Sequence, residues 1–111
     1  MIPTSSIEHV SKQLPEIYSL SQNYPNPFNP STNIQFSIPK SEFVTLEIYN
    51  LLGQKVATLV NEKLNTGTYT VEWNATGFAS GVYFYRLQTD DGTSTGSGQG
   101  FVLIKKMVVM K

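Results

Sequence analysis

Cysteine is absent from the 111 residues, so the chain has no disulfide framework, no thiolate metal site and no cysteine nucleophile. Histidine occurs once, at His9, and a catalytic triad would have to recruit it from a segment with no regular pattern. Paired carboxylates and metal ligands at a suitable spacing are also missing. The sequence therefore predicts no catalytic residue, no cofactor and no metal, and a protein that is not an enzyme.

An excess of charge of either sign is also lacking, because Lys plus Arg and Asp plus Glu number eight each. Such a balance provides no field to attract nucleic acid or an anionic membrane. No run approaches the roughly 18 apolar residues that a spanning helix needs, and the first residues lack the pattern of a signal peptide. We expect no nucleic-acid partner, no transmembrane segment and no export by this segment alone.

From Ser19 onward, apolar and polar residues alternate with a period of two, which is typical of strands with one buried face. In the run 82–89 we expect Tyr83, Tyr85 and Leu87 to form the inner set. Seven strands at intervals of about ten residues predict an all-β, immunoglobulin-like antiparallel β-sandwich. The predicted strands lie near Leu20 and at 34–38, 44–49, 54–60, 69–74, 82–89 and 101–110.

Two segments lack this alternation. Residues 1–16 combine polar residues with two prolines, which predicts a linker or disordered arm before one domain over 17–111. The stretch between Thr89 and Phe101 is rich in glycine and predicts a flexible hairpin tip. Its two acids, Asp90 and Asp91, lack the spaced pattern of a calcium loop, so we interpret them as a solvated turn.

Three prolines lie between Tyr24 and Ser31, and they exclude both a helix and a central strand. The segment is predicted to be a rigid extended connection, anchored on the sandwich by Tyr24 and Phe28. Aromatic residues at alternating positions elsewhere are typical of a core, although an exposed row would suit sugar stacking. The aromatic residues concerned are Tyr69, Trp73, Tyr83 and Tyr85.

Five blocks follow one another in a set order: LSQNYPNPFNPST, VTLEIYNLLGQKVATLV, the GTY and VEW pieces, GVYFYRL and KKMVVMK. In this order they resemble the type A C-terminal sorting domain of the type IX secretion system, also called the Por secretion system. The resemblance runs from about Leu20 to Lys111. It implies a bacterial secretion signal fused to an N-terminal cargo, which a separate signal exports to the periplasm.

The resemblance also implies a set of partners. The type IX translocon and its outer-membrane shuttle would carry the cargo across the outer membrane, and a sortase-like protease would cleave the signal. The cargo would then be secreted or joined to anionic lipopolysaccharide at the cell surface. The protein would be a substrate of this machinery and not a catalyst.

By matching position, two groups of residues are implied in this role. We expect the closing block to be recognised by the translocon through a strand at a sheet edge, and deletion of 105–111 to abolish export without unfolding the rest. The motif residues are Pro25, Asn26, Pro27 and Phe28 in the opening block, Gly53 at a hairpin corner, and Gly81 and Tyr83 in the penultimate block. The recognition candidates are Lys105, Lys106, Met107 and Val108.

Two features depart from the family pattern: the insert from Ser94 to Gly100 is longer than expected, and Ile104 replaces a polar residue.

Two other functions are open. The chain is also similar to immunoglobulin-like structural or adhesive modules that hold partners through a sheet edge, and an exposed aromatic row would indicate a carbohydrate-binding module. The printed chain ends directly after its last predicted strand, which favours a sorting signal.

Overall fold

A computed structural model describes residues 17–90 and 101–111, together with the backbone of 7–9. These ranges contain eight strands and no helix. No helix in the described part of the chain is long and apolar enough to cross a membrane. The strands are β1 (Ile7–His9), β2 (Ser19–Leu20), β3 (Ser31–Ile38), β4 (Glu42–Asn50), β5 (Lys55–Leu64), β6 (Gly67–Asn74), β7 (Gly81–Asp90) and β8 (Val102–Val109).

The strands form two antiparallel sheets of four. The first sheet has the order β1-β6-β3-β2 and the second has the order β5-β4-β7-β8. Alternate side chains of both sheets are buried, as in the 0% exposed Ile34, Phe36 and Ile38 of β3. Because each sheet buries one face against the other, the expected immunoglobulin-like sandwich is confirmed.

The strand positions follow the predicted pattern closely. In β7 the inner set Tyr83, Tyr85 and Leu87 is buried, as expected from the alternation. The strand β3 begins earlier than predicted, at Ser31, because its ladder with β6 continues as far as Asn74. A backbone ladder extends a strand past the end of its apolar pattern, which the sequence alone does not indicate.

One strand lies in the segment predicted as a linker or disordered arm. The residues of β1 pair with β6 from Ile7 opposite Val71 to His9 opposite Tyr69. The other residues of 1–16 lie outside the described residues, and so do Asp91 and the insert from Ser94 to Gly100.

The corner between β4 and β5 contains Gly53, as the family pattern implies. Its φ is +84°, in the left-handed region that side chains with a Cβ rarely adopt. The Asn50 side-chain oxygen accepts hydrogen bonds from the backbone N–H of Leu52 (2.9 Å) and of Gln54 (3.0 Å). An asparagine at the start of the turn and a glycine within it therefore define this corner locally.

Candidate functional site: the edge of β8 and the proline clasp

Strand β8 is the edge of the second sheet and pairs only with β7 among the described strands. Its side chains alternate between the core and the outer face of the sheet. Met107 is fully buried and Val109 is 1% exposed. Of the recognition candidates, Met107 is therefore a core residue in the folded domain.

The two adjacent lysines point to opposite faces of the sheet, because successive residues of a strand alternate. Lys106 is exposed and lies opposite Phe84 in the register, whereas Lys105 is half-buried and lies opposite Tyr85. Neither lysine forms an ion pair with any residue that the structure describes. The side chains thus offer two separate charges and not one contiguous basic patch.

The proline-rich segment lies along the C-terminal half of β8, and we call residues 22–30 the proline clasp. Phe28 pairs with this edge like a short parallel strand: its N–H donates to the Val108 carbonyl (3.1 Å), and its carbonyl accepts from the Met110 N–H (2.9 Å). The Asn26 side-chain oxygen accepts from the Val108 N–H (3.0 Å). The opening motif therefore satisfies both outward backbone groups of Val108.

A further contact marks the N-terminal limit of the clasp on β8. The side-chain amide of Gln22 donates to the Lys106 carbonyl at 2.8 Å. The peptide bonds that precede Pro25, Pro27 and Pro30 are cis. From Lys106 to Met110, the outward backbone of the edge strand is thus occupied by the protein's own chain.

Asn23 fixes the clasp to both sheets. Its side chain donates to the Pro25 carbonyl (3.1 Å) and to the Thr32 hydroxyl (3.0 Å) in β3. Its backbone N–H donates to the Tyr85 hydroxyl (2.9 Å), which in turn donates to the Ser21 carbonyl (2.7 Å). Burial raises the pKa of Tyr85 to about 12, an effect partly opposed by the hydrogen bond from Asn23.

Phe28 anchors the clasp in the core and Tyr24 does not. Phe28 is 2% exposed, and its ring centroid lies 5.8 Å from that of Trp73. Phe78 and Tyr83 extend this aromatic cluster, with centroids 5.4 and 5.6 Å from that of Trp73. Tyr24 is 79% exposed, so its predicted anchoring role is wrong, and only its backbone pairs with the sheet.

The sequence matches the family described as "Secretion system C-terminal sorting domain" over residues 22–108. The chain belongs to this family. The matched range begins with the clasp residue Gln22 and ends with Val108, to whose backbone the clasp binds. No curated protein and no solved structure shows a significant match to the chain.

Family membership identifies the chain as a type IX secretion sorting domain, which confirms the resemblance. This is a family of non-catalytic signals, and it implies export to the outer membrane or the cell surface. In this sorting domain the opening motif, with Asn26 and Phe28, lies directly on the closing block. The two ends of the family pattern are therefore parts of one folded structure.

The aromatic side chains of the suggested sugar-stacking row belong to the core of the sorting domain. Each of them is at most 7% exposed, so they form no surface row and cannot serve as a carbohydrate-binding platform. They are Tyr69, Trp73, Tyr83 and Tyr85. Packing of aromatic side chains at alternating positions, as the pattern favoured, explains them.

The outer face of the second sheet carries a polar network. The Glu47 carboxylate accepts a hydrogen bond from Tyr49 (2.7 Å) and forms an ion pair with Lys55 (3.3 Å), with Arg86 at 3.9 Å. The Tyr49 hydrogen bond, followed by that of Lys55, lowers the pKa of Glu47. These groups satisfy one another beside a shallow groove of about 300 Å³.

No group of three or more His, Cys, Asp or Glu side chains that could hold a metal ion occurs among the described residues.

Sequence reasoning missed Gln22, Asn23 and the hydroxyl of Tyr85 as parts of the site. For Gln22 and Asn23 the one signal was proximity to the prolines, and for the Tyr85 hydroxyl there was none, because these hydrogen bonds join residues more than sixty positions apart.

Proposed function

We propose that this sorting domain directs an attached N-terminal cargo across the outer membrane through the type IX translocon. The observation that supports this most strongly is the clasp: the opening and closing motifs of the family form one hydrogen-bonded structure at a sheet edge. A signal composed of distant parts of a chain is readable only when the domain is folded. The recognised feature is then a shape and not a linear tag.

Among the candidate residues, Lys105, Lys106 and Val108 are at least partly exposed and are available to the translocon or its outer-membrane shuttle. Met107 supports the same surface from the core, where it is fully buried. After passage, a sortase-like protease cleaves the domain from the cargo. The cargo is then released or joined to anionic lipopolysaccharide at the cell surface.

The test is to fuse residues 1–111 behind an exported fluorescent passenger in a bacterium with a type IX system and in a translocon-deficient strain. We expect the passenger on the surface or in the medium of the first strain only. The same passenger without the domain should stay in the periplasm of both strains. Retention of a folded fusion in the periplasm of both strains would contradict the proposal and favour an adhesive module.

A further inference from the structure

The edge of β8 is divided into a covered half and an open half. The proline clasp occupies the outward backbone from the Lys106 carbonyl to the Met110 N–H. Val102 and Ile104 precede Lys106 along β8, and their side chains are 43% and 58% exposed. Both side chains lie on the outer face of the sheet, where they contact solvent.

The hydrogen-bond pattern shows which way the backbone of the open half points. The Thr89 N–H donates to the Phe101 carbonyl at 2.9 Å, in register with the β7–β8 ladder. In an antiparallel ladder the bonded residues alternate, so odd-numbered residues of β8 bond to β7. The N–H and C=O groups of Val102 and Ile104 therefore point away from the sheet, and no residue in the described ranges bonds to them.

The chemistry around this open half is apolar and positive. Lys106 is exposed at one end, and Arg86 lies opposite Ile104 in the register of β7. Arg86 lies 3.9 Å from the Glu47 carboxylate and donates a hydrogen bond to the Tyr49 hydroxyl (3.3 Å). Of these two cations, Lys106 is therefore the one that pairs with no carboxylate among the described residues. An occupant that complements this edge needs main-chain hydrogen-bonding groups, apolar side chains and a carboxylate.

We propose that an extended segment of a type IX component adds to the open edge of β8 as a further strand, from Val102 to Lys106. Its backbone bonds to the outward groups of Val102 and Ile104, and an acidic side chain lies beside Lys106. This inference rests on the proposed function. The clasp determines where addition stops, because the outward backbone beyond Lys106 is already bonded.

A second copy of the chain is a poorer occupant of the same edge. Antiparallel pairing of two β8 edges about Ile104 would place each Lys106 opposite Val102 of the other copy. Such a pairing supplies no carboxylate to either lysine. We therefore expect the purified 111-residue chain to be a monomer by size-exclusion chromatography with light scattering.

The test removes a single outward N–H without disturbing the ladder to β7. Ile104→Pro deletes a donor that β7 does not use, and proline is tolerated at edge positions of this kind. The matched control is Asn61→Pro on β5, the opposite edge of the same sheet. Asn61 lies opposite Thr45 of β4. The backbone groups of Thr45 bond to β7, because hydrogen-bonded residues alternate along each strand and the β4–β7 and β7–β8 registers have no shift. The N–H of Asn61 therefore also points away from the sheet.

Each variant is fused as the full chain to the exported passenger, and its folding is checked by circular dichroism and thermal melting. We expect translocon-dependent export to fall by about ten-fold in Ile104→Pro, because main-chain hydrogen bonds supply much of the affinity in strand addition. Asn61→Pro should be exported close to the parent level. Lys106→Glu, an exposed change, should also reduce export by about ten-fold.

The outcomes separate the two proposals. If the parent fusion is retained in both strains, the sorting function and this inference both fail. If the parent is exported and a folded Ile104→Pro variant is exported equally well, strand addition alone is overturned. If Ile104→Pro does not fold, Val102→Pro and Lys106→Glu replace it in the test. Export of these folded variants at the parent level would then overturn strand addition. A dimer that Lys106→Glu or either β8 proline dissociates would assign the edge to self-association and overturn the inference.

Discussion

The phenol of Tyr85 lies where the proline clasp meets the second sheet. It accepts a hydrogen bond from the Asn23 backbone and donates one to the Ser21 carbonyl, and its side chain is fully buried. The sequence predicted its inward orientation from the alternation in β7. It did not indicate the two partners, which are more than sixty positions away along the chain.

Replacing this hydroxyl should destabilise the domain and loosen the clasp. In Tyr85→Phe, the Asn23 N–H and the Ser21 carbonyl lose their partner in a buried site, which costs about 1–3 kcal/mol. Urea unfolding followed by tryptophan fluorescence measures the change. Tyr49→Phe, on the outer face of the sheet, is the control and should cost less. Equal costs for the two variants would contradict a structural role for Tyr85 in the clasp.

The same residue should give the domain a pH dependence in the alkaline range. Burial raises the pKa of Tyr85 to about 12, above its value of about 10 in an unfolded chain. The folded state therefore holds this proton more tightly, and its contribution to stability is full below pH 10 and is lost as pH rises toward 12. The difference in unfolding free energy between the parent and Tyr85→Phe should shrink as the pH rises from about 10 toward 12. A constant difference would refute the shift.

The corner glycine provides a prediction at a second residue. At Gly53, with φ of +84°, a Cβ would meet no atom within 4 Å, so the cost of a side chain is conformational and not steric. Gly53→Ala should lower stability by about 1–2 kcal/mol, whereas Gly53→Asn should cost less, because asparagine tolerates this region better. Thermal melting of both variants measures this. A larger loss for asparagine than for alanine would show that another constraint acts at the corner.

At the scale of elements, the clasp and β8 depend on each other. The prolines of the opening motif correctly excluded a helix and a central strand, but the connection bends at 25–27 and 29–30 and is not extended as predicted. Its target, the edge of β8, was not predicted either. The reason is physical: prolines restrict the backbone locally, whereas the bonds from Asn26 and Phe28 to Val108 are made only after the sheet has formed. The same assembly leaves Val102 and Ile104 as the open part of the edge.

Removing the side-chain acceptor of the clasp should expose one backbone group of β8. In Asn26→Ala, the Val108 N–H loses its acceptor, which costs about 0.5–1.5 kcal/mol. Amide hydrogen exchange by NMR should show faster exchange at Val108, with amides in the middle of β4 unchanged. Asn29→Ala, an exposed position in the same segment, is the control. Equal exchange at Val108 in both variants would contradict the clasp.

For the whole molecule, deletion of residues 105–111 removes more than a recognition surface. Met107 and Val109 belong to the buried core, and β8 pairs with β7 over its length. We therefore expect the truncated chain to lose cooperative thermal unfolding, in contrast to the expectation from sequence that the remainder stays folded. Loss of two buried apolar side chains alone costs several kcal/mol, roughly 4–8 by analogy with large-to-small core changes, comparable to the stability of a small domain.

A full-length variant separates sorting from folding at this scale. Lys105→Ala with Lys106→Ala keeps Met107 and Val109 in the core and should retain the parent melting temperature within a few degrees. Circular dichroism melts of the truncation, the double variant and the parent test this directly. A truncated chain with a cooperative transition near that of the parent would show that the closing block contributes little to the fold.

The sequence by itself determined the period-two alternation, the corner at Gly53 and the order of the family blocks. These features depend on neighbouring residues, so the sandwich and the sorting-domain family were both predictable from them. Only the tertiary structure decided that Met107 is buried and that Tyr24 is exposed. It also decided which half of β8 the clasp covers, because hydrogen bonds between distant segments exist only after the two sheets have packed.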